Sequence, residues 1–267
     1  MAKLTAFEVG YCLHPGCMAL KGAGWRVCKF PARAWLLEAR GKRWLWDTGY
    51  ADHFEHYTKG ILSLYRATTP VHFDSKDALF RQLASQGILP ADITALIISH
   101  FHGDHIAGLR DFSGVPSISS MDGWIRSRKL RGVAALRNAF VPGLIPDDFE
   151  TGLQWMEAFE ETALPAELAP FERGYRLPGS GDEIILVPLP GHAAGHIGAF
   201  VLTDSGWELL ASDAAWSPKS YESLRGPSRM AHLVMDNSAA YYQTLNRLHQ
   251  LHLGGNVKIH LCHEGDL

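Results

Sequence analysis

Along this chain apolar positions come in short runs, and many runs end at turn residues or at groups that carry chemistry. The N-terminal part reads as short strands with turns, and the Gly-, Pro- and small-residue-rich stretch 12–24 as a loop between strands. Residues 33–39 form a strand, Gly41-Lys42 a turn, and 43–49 the returning strand of a hairpin that ends in Asp47-Thr48-Gly49. Residues 50–75 bear aromatics and histidines (His53, Phe54, His56, Tyr57, Tyr65, His72, Phe73) without a clean period, which predicts a long loop with helical pieces lining a cleft. Helical spacing follows at 77–87, where Ala78, Leu79, Leu83 and Ala84 are apolar and Gly87 suits a C-cap. The β-branched run 93–98 predicts a buried strand.

Beyond it the pattern becomes helical, with a basic stretch over 122–138 and an acidic helix over 151–162 that puts Leu153, Trp155, Met156 and Phe159 on its apolar positions. Their opposite charges suit two solvated faces, and 117–175 as a whole reads as a helical insert. Strands return at 183–189, 197–203 and 207–211, the last two around the hairpin signal Asp204-Ser205-Gly206. An amphipathic helix at 239–253 is stopped by Gly254-Gly255, and a final strand, 257–262, leads into His263-Glu264-Gly265-Asp266. The reading is an α+β chain whose 267 residues make one domain.

Composition narrows the function classes. With 46% hydrophobic and 20% charged residues the chain can bury a sizeable core. A formal net charge of −3 leaves no basic footprint for nucleic acid or an anionic membrane. No apolar run nears the ~20 residues of a membrane span, and the N-terminus lacks the apolar segment of a signal peptide. Cys12, Cys17, Cys28 and Cys262 form no CxxC pair, which predicts a reduced cytoplasm.

The chemistry collects at strand ends. After 93–98 comes Ser99-His100-Phe101-His102-Gly103-Asp104-His105, with three imidazoles and a carboxylate close together. Pro190-Gly191-His192-Ala193-Ala194-Gly195-His196 follows the strand 183–189, Asp213 follows 207–211, and His263 follows the last strand. Five imidazoles (His100, His102, His105, His192, His263) and two carboxylates (Asp104, Asp213) are enough for two divalent ions, one carboxylate bridging. Imidazole nitrogen and carboxylate oxygen suit zinc, manganese, iron or cobalt, and the absence of a Cys ligand at these junctions argues against a purely structural zinc. Such ions lower the pKa of a bound water and polarise the bond to be cleaved.

These motifs together resemble the metallo-β-lactamase superfamily, from Asp47 to the C-terminus. The resemblance implies a four-layer αβ/βα sandwich with the metals at one edge, between two sheets. It implies that His100, His102 and His192 hold one metal, that Asp104, His105 and His263 hold the other, and that Asp213 bridges. Asp47 would orient the histidine loop, and His196 would play a structural or outer role. The 117–175 insert would cover this site.

From His192 to Asp213 the chain advances 21 positions, and from Asp213 to His263 a further 50. The short first gap resembles the N-acyl homoserine lactonases and the glyoxalase II thioesterases. The tRNA-processing endonucleases have a much longer gap and a basic arm, and several true β-lactamases carry Cys where Asp213 stands. In one respect the chain departs from the lactonases, which place Tyr three residues after the bridging Asp. Here Trp216 stands there, and an indole N–H donates a hydrogen bond without supplying a phenolic proton. Tyr221 is the nearby substitute.

The implied enzyme is a dinuclear metallohydrolase in which a metal-bridging hydroxide attacks a lactone or other (thio)ester carbonyl, N-acyl homoserine lactones of quorum quenching among them. Asp104 passes a proton to the leaving oxygen, and Trp216 or Tyr221 assists. Two divalent ions, zinc first among them, and a small acyl substrate are expected, with no nucleic-acid or membrane partner, in a monomer or homodimer. A phosphodiesterase using the same centre and a metal-retaining binding protein are the alternatives. His14, His53, His56, His72, His232, His249, His252 and His260 are assigned to surface or packing, and the cysteines to small buried hydrophobes.

Overall fold

Two long strands at the N-terminus found the first sheet. In the computed structural model, which describes residues 1–265, β1 (Lys3–Pro15) pairs antiparallel with β2 (Val27–Ala39), and β3 (Lys42–Trp46) folds back on β2. The hairpin between β2 and β3 turns on Arg40 and Gly41, both with positive φ, the twist that a two-residue hairpin loop needs. β4 (Val71–His72) borders β1, while β5 (Ala95–Ile97), β6 (Ser117–Ser119) and β7 (Leu153–Trp155) continue from β3 in parallel. The first sheet thus runs β4-β1-β2-β3-β5-β6-β7.

The second sheet runs β13-β12-β11-β10-β9-β8. Its strands are β8 (Glu161–Ala163), β9 (Arg173–Arg176), β10 (Ile184–Pro188), β11 (Ile197–Thr203), β12 (Gly206–Ser212) and β13 (Val257–Leu261). All pair antiparallel except β12 with β13.

Strands buried on both faces explain why these runs are apolar at nearly every position rather than at alternate ones. Trp44 and Trp46 of β3 face the second sheet and pack with Ile97, Ile118, Leu186, Ala199, Val201 and Leu210. Leu45, between them, faces the other way, into a core shared with helices. The helices are α1 (Gly16–Ala19), α2 (Asp52–Tyr57), α3 (Ser63–Thr68), α4 (Leu79–Ser85), α5 (Gly103–Ile106), α6 (Met121–Ser127), α7 (Gly132–Arg137), α8 (Pro218–Glu222) and α9 (Ser238–Gly254). Phe54, Leu79, Leu83 and Trp124 from this set cover the first sheet. Tyr241, Leu245, Leu248 and Leu251 of α9 cover the second, against Val187, Leu209 and Ala211. Helices, sheet, sheet, helices: this is the four-layer αβ/βα sandwich, in the α+β class.

Three local expectations are corrected. Residues 12–15 are strand, because a register shift between Glu8 and Tyr11 lets β1 pair with β2 through to Pro15. The basic stretch 122–138 is two helices, α6 and α7, separated where Gly132 takes a positive φ. The acidic stretch 151–162 is no helix. It adds β7 to the edge of one sheet and contributes to β8 at the edge of the other, with short 3-10 turns between. Its apolar spacing suits a helix, and edge pairing overrides that local preference. The segment 117–175 therefore supplies four strands, β6–β9, as well as helices. Asp266 lies outside the described residues. Among those described, no helix is long and apolar enough to cross a membrane.

The topology decides where the polar strand ends meet. β3 and β5 are parallel, as are β12 and β13, so Asp47 and His100 leave one sheet together while Asp213 and His263 leave the other together. β10 delivers His192 through Pro190-Gly191, which lies against α9. Gly191 has φ +127°, and a Cβ there would meet Tyr241 N at 2.1 Å. Gly191→Ala should therefore cost about 3 kcal/mol, lowering the thermal midpoint by roughly 6–12 °C. An unchanged midpoint would show that this loop does not abut α9.

Candidate metal centre

Asp47 follows the last residue of β3 and is buried between the sheets, with φ +55°. Its Oδ1 accepts from Ser99 N at 2.8 Å, and its Oδ2 from Ser99 Oγ at 2.7 Å and Ser212 Oγ at 3.3 Å. His105 Nδ1 lies 2.8 Å from the same Oδ2. Trp46 Nε1 in turn donates to Ser212 Oγ at 2.9 Å. Thr48 holds the next turn, donating from both N and Oγ1 to His105 O and accepting from Gly108 N. α5 is thereby tied to the end of β3. Gly103 permits the close cover over this loop, since a Cβ there would stand 2.9 Å from the Phe54 ring and 3.2 Å from that of Tyr65.

The structure brings all seven predicted metal-site residues together, each of them buried. One group is His100, His102 and His192. His192 Nε2 and His102 Nδ1 are 3.0 Å apart, and the rings of His100 and His102 are 4.4 Å apart, edge to face. The other group joins His105, Asp213 and His263, with Asp104 beside them: His263 Nε2 is 3.0 Å from Asp104 Oδ2 and His105 Nε2 is 3.8 Å from it. Asp213 stands between the groups, its Oδ2 3.3 Å from His192 Nε2 and 3.4 Å from His263 Nε2. His263 is aimed by its far nitrogen, with Nδ1 2.7 Å from Pro31 O. His196 packs its ring edge to face on His100, with Nδ1 2.8 Å from Leu189 O and Nε2 buried without a partner.

Whether these residues suit cations can be judged from their unmet polar atoms. His100 Nε2, His105 Nε2 and Asp213 Oδ1 are buried without a hydrogen-bond partner, whereas His192 faces the cluster through Nε2 and leaves its far Nδ1 unpartnered. Orphaned buried groups are costly, and here several belong to side chains whose other atoms are anchored. Imidazole nitrogens anchored at the far ring position and facing carboxylates form a donor set for divalent ions.

The electrostatics divide in the same way. Burial, reinforced by neighbouring imidazoles, holds His100 and His192 well below the ordinary histidine value, and burial brings His102 down to about 4. These three are neutral, the form that binds metal. Burial opposes ionisation of Asp104 and Asp213, yet His105 and His263 outweigh it and hold both carboxyls low, with His192 adding to the effect on Asp213. For His105, burial is overcome by Cys262 and the carboxylates of Asp47, Asp104 and Asp213. For His263 it is overcome by Asp213, Cys262 and Asp104, so both imidazoles are pushed well up.

The remaining sequence candidates separate. Trp216 reaches the centre, but its indole Nε1 donates to Asp213 Oδ2 at 2.8 Å and its ring stands edge to face on His192. Tyr221 does not join the seven. It packs against His252 within the apolar cluster of α9, because α8 turns its ring toward the second sheet's helical layer. Sequence reasoning missed Tyr65, whose hydroxyl donates to Asp104 Oδ1 at 3.4 Å, and Ser212, which closes the Asp47 network. Neither sits in a motif. Beside His102 and His192 a narrow cleft is lined by Phe101, Ser127, Asn138, Val234 and Asp236, and Arg126 of α6 pairs with Asp236 across it. Cys262, read as a packing residue, places its Sγ in the group of His105, Asp213 and His263, all four ligand atoms lying within 4.8 Å of one another.

A family model described as the metallo-beta-lactamase superfamily matches residues 29–205. The chain is 28% identical over 155 residues to metallo-beta-lactamase domain-containing protein 1 of Xenopus laevis, covering 55% of this chain and 51% of that protein. It is 24% identical over 226 residues to the N-acyl homoserine lactonase AiiB of Agrobacterium fabrum, covering 84% and 76%. The chain thus spans about half the length of the Xenopus relative. Among solved structures, an N-acyl homoserine lactone hydrolase with the product N-hexanoyl-L-homoserine at its catalytic metal center superposes with TM-score 0.73. It is 18% identical, over 98% of this chain and 93% of that one.

Two substitutions probe how the centre is held. Asp47→Asn keeps the shape but removes the charge facing His105, and should weaken divalent-metal affinity about 10–100-fold in chelator competition while the fold persists. Unchanged affinity would mean that Asp47 serves the sheets alone. Trp216→Phe deletes one hydrogen bond to a charged group, worth about 1.5 kcal/mol, and should weaken metal binding by roughly tenfold. If only KM for substrate moved, the indole would be a substrate contact instead.

Proposed function

The chain belongs to the metallo-beta-lactamase superfamily, and from that premise we propose that it is a dinuclear, divalent-metal-dependent hydrolase opening lactones or other (thio)esters. The observation that carries this reading is Asp213, whose one carboxylate oxygen lies within 3.4 Å of imidazoles from both groups. His100, His102 and His192 would hold one cation, Asp104, His105 and His263 the other, and Asp213 both. Bound divalent ions, zinc foremost, supply a water acidic enough to attack at neutral pH and polarisation of the scissile carbonyl.

The protein's own groups do the rest. Asp104, held ionised beside His105 and His263, takes a proton at its carboxylate and returns it to the leaving oxygen. Tyr65, donating to Asp104 Oδ1, keeps that carboxylate turned toward the reacting bond. Trp216 restrains Asp213 and leaves the proton transfer to Asp104. A narrow cleft between His102 and Val234, with α6 and the Asn138 turn on one side, borders the centre, and we read 117–175 as cover for the site within a single domain. Four unpaired cysteines accord with a cytoplasmic setting. The lactonase relatives favour N-acyl homoserine lactones as the first substrates to test.

Zinc-loaded protein should hydrolyse acyl homoserine lactones or acyl thioesters, and the activity should disappear in His102→Ala/His263→Ala together with about two equivalents of bound metal. Turnover of aryl phosphodiesters but of neither carbonyl substrate would replace this reading with phosphodiester hydrolysis. Full activity after the metals are stripped would sink it.

A further inference from the structure

Cys262 is the one cysteine whose sulfur falls among the candidate cation-holding atoms of the described residues. It follows β13 directly, beside His263, and is buried with almost no solvent exposure. Its Sγ shares a 4.8 Å cluster with the ligand atoms of His105, Asp213 and His263. Within that cluster His105 Nε2 and Asp213 Oδ1 have no hydrogen-bond partner, although they lie 3.4 Å apart. The group therefore has both a sulfur and unmet nitrogen and oxygen atoms around one point.

The geometry points to Cys262 as a sulfur ligand of the second cation position, making it a sulfur, nitrogen and oxygen site that selects thiophilic divalent ions over manganese or magnesium. This rests on the metal-centre reading above. With Asp104, His105, Asp213 and His263, Cys262 would be a fifth donor, and zinc can expand to five ligands; metal–nitrogen or metal–oxygen bonds of about 2.1 Å and a metal–sulfur bond of about 2.3 Å would bring neighbouring donor atoms to roughly 3.1–3.6 Å of one another. Contraction from 4.8 Å is about an ångström of side-chain movement. Arg33 N already donates to Sγ at 3.3 Å, a contact that strengthens when the sulfur is anionic. The Sγ–H contact to Arg33 O, at 3.6 Å, is a weak bond and easily given up. Ligation is an exchange without redox change: the thiol proton leaves to buffer as the sulfur–metal bond forms. Soft thiolate favours zinc, cobalt or cadmium, whereas a site of imidazole and carboxylate alone would leave manganese more competitive.

The test is metal loading of the whole protein with Co(II) and Zn(II), stoichiometry being measured first. Failure to bind metal would overturn the metal-centre reading and this inference with it. With metal bound, the expected result is a near-ultraviolet sulfur-to-cobalt charge-transfer band in the wild type that is absent from Cys262→Ser and Cys262→Ala and retained in Cys12→Ala. Zinc-edge X-ray absorption of the wild type should show a sulfur neighbour near about 2.3 Å, a readout that needs no folded variant. Cadmium affinity should fall at least tenfold in Cys262→Ser, since even outer partners of a site carry about 10–100-fold. Two bound metals surrounded only by nitrogen and oxygen, or a charge-transfer band that survives Cys262→Ser, would overturn the sulfur ligand while leaving the metal centre intact.

Discussion

A single buried carboxylate joins the two halves of this molecule. Asp47 leaves β3 of the first sheet and accepts from the backbone and hydroxyl of Ser99, beyond β5, and from Ser212, at the end of β12 in the second sheet. It also meets His105 Nδ1. Burying a charge without partners is prohibitive, so an arrangement that satisfies Asp47 must hold these three strand ends in one place. Asp47 and Ser212 both take left-handed backbone conformations, φ +55° and +43°, which non-glycine residues adopt only where surrounding contacts over-determine them. The strain sits at the seam between the sheets, beside the imidazole cluster.

From that joint the centre follows by a chain of anchors. His105 is fixed by Asp47, His263 by Pro31 O, and Asp213 by Trp216. For His105 and His263 the anchor occupies one ring nitrogen and leaves the other facing inward, while Trp216 donates to the same Asp213 oxygen that faces both groups. The two halves of the cluster differ in charge: the His100, His102 and His192 side is a set of neutral imidazoles, while the Asp104, His105 and His263 side is a charge-balanced knot about two carboxylates. Asp213 belongs to both, which couples what happens at one position to the other.

Much of this was legible before any coordinates. The run 93–98 followed by His100, His102, Asp104 and His105 announces a strand delivering candidate ligands, and β5 ends in a loop over 98–102 that carries His100 and His102 into α5. The sandwich and the ligand roles of His192, Asp213 and His263 are implied by the resemblance to the metallo-β-lactamase superfamily, not by any local pattern. The acidic stretch 151–162 misled because helix and edge strand share its apolar pattern, and only pairing with β6 and β9 decides between them. Trp216 was identified as a departure, yet its partner was not, since a donor's direction depends on how the chain after β12 is packed. Tyr221, five residues further on, turns into the apolar layer beside α9, where proximity in sequence counts for nothing.

By itself, then, the sequence determined the superfamily and a candidate set of metal-holding side chains, because residue types and their order at strand ends are properties of the chain alone. The tertiary structure alone decided what surrounds each ligand. Ser212, Tyr65 and Cys262 were given no role by the motifs, and their contacts exist only because the tertiary structure brings separate segments together. Such contacts join Trp46 to Ser212, 166 residues along the chain, and Arg33 to Cys262, 229 residues along it. No local pattern encodes a distance of that kind; it exists once the sheets pack face to face across Trp44 and Trp46.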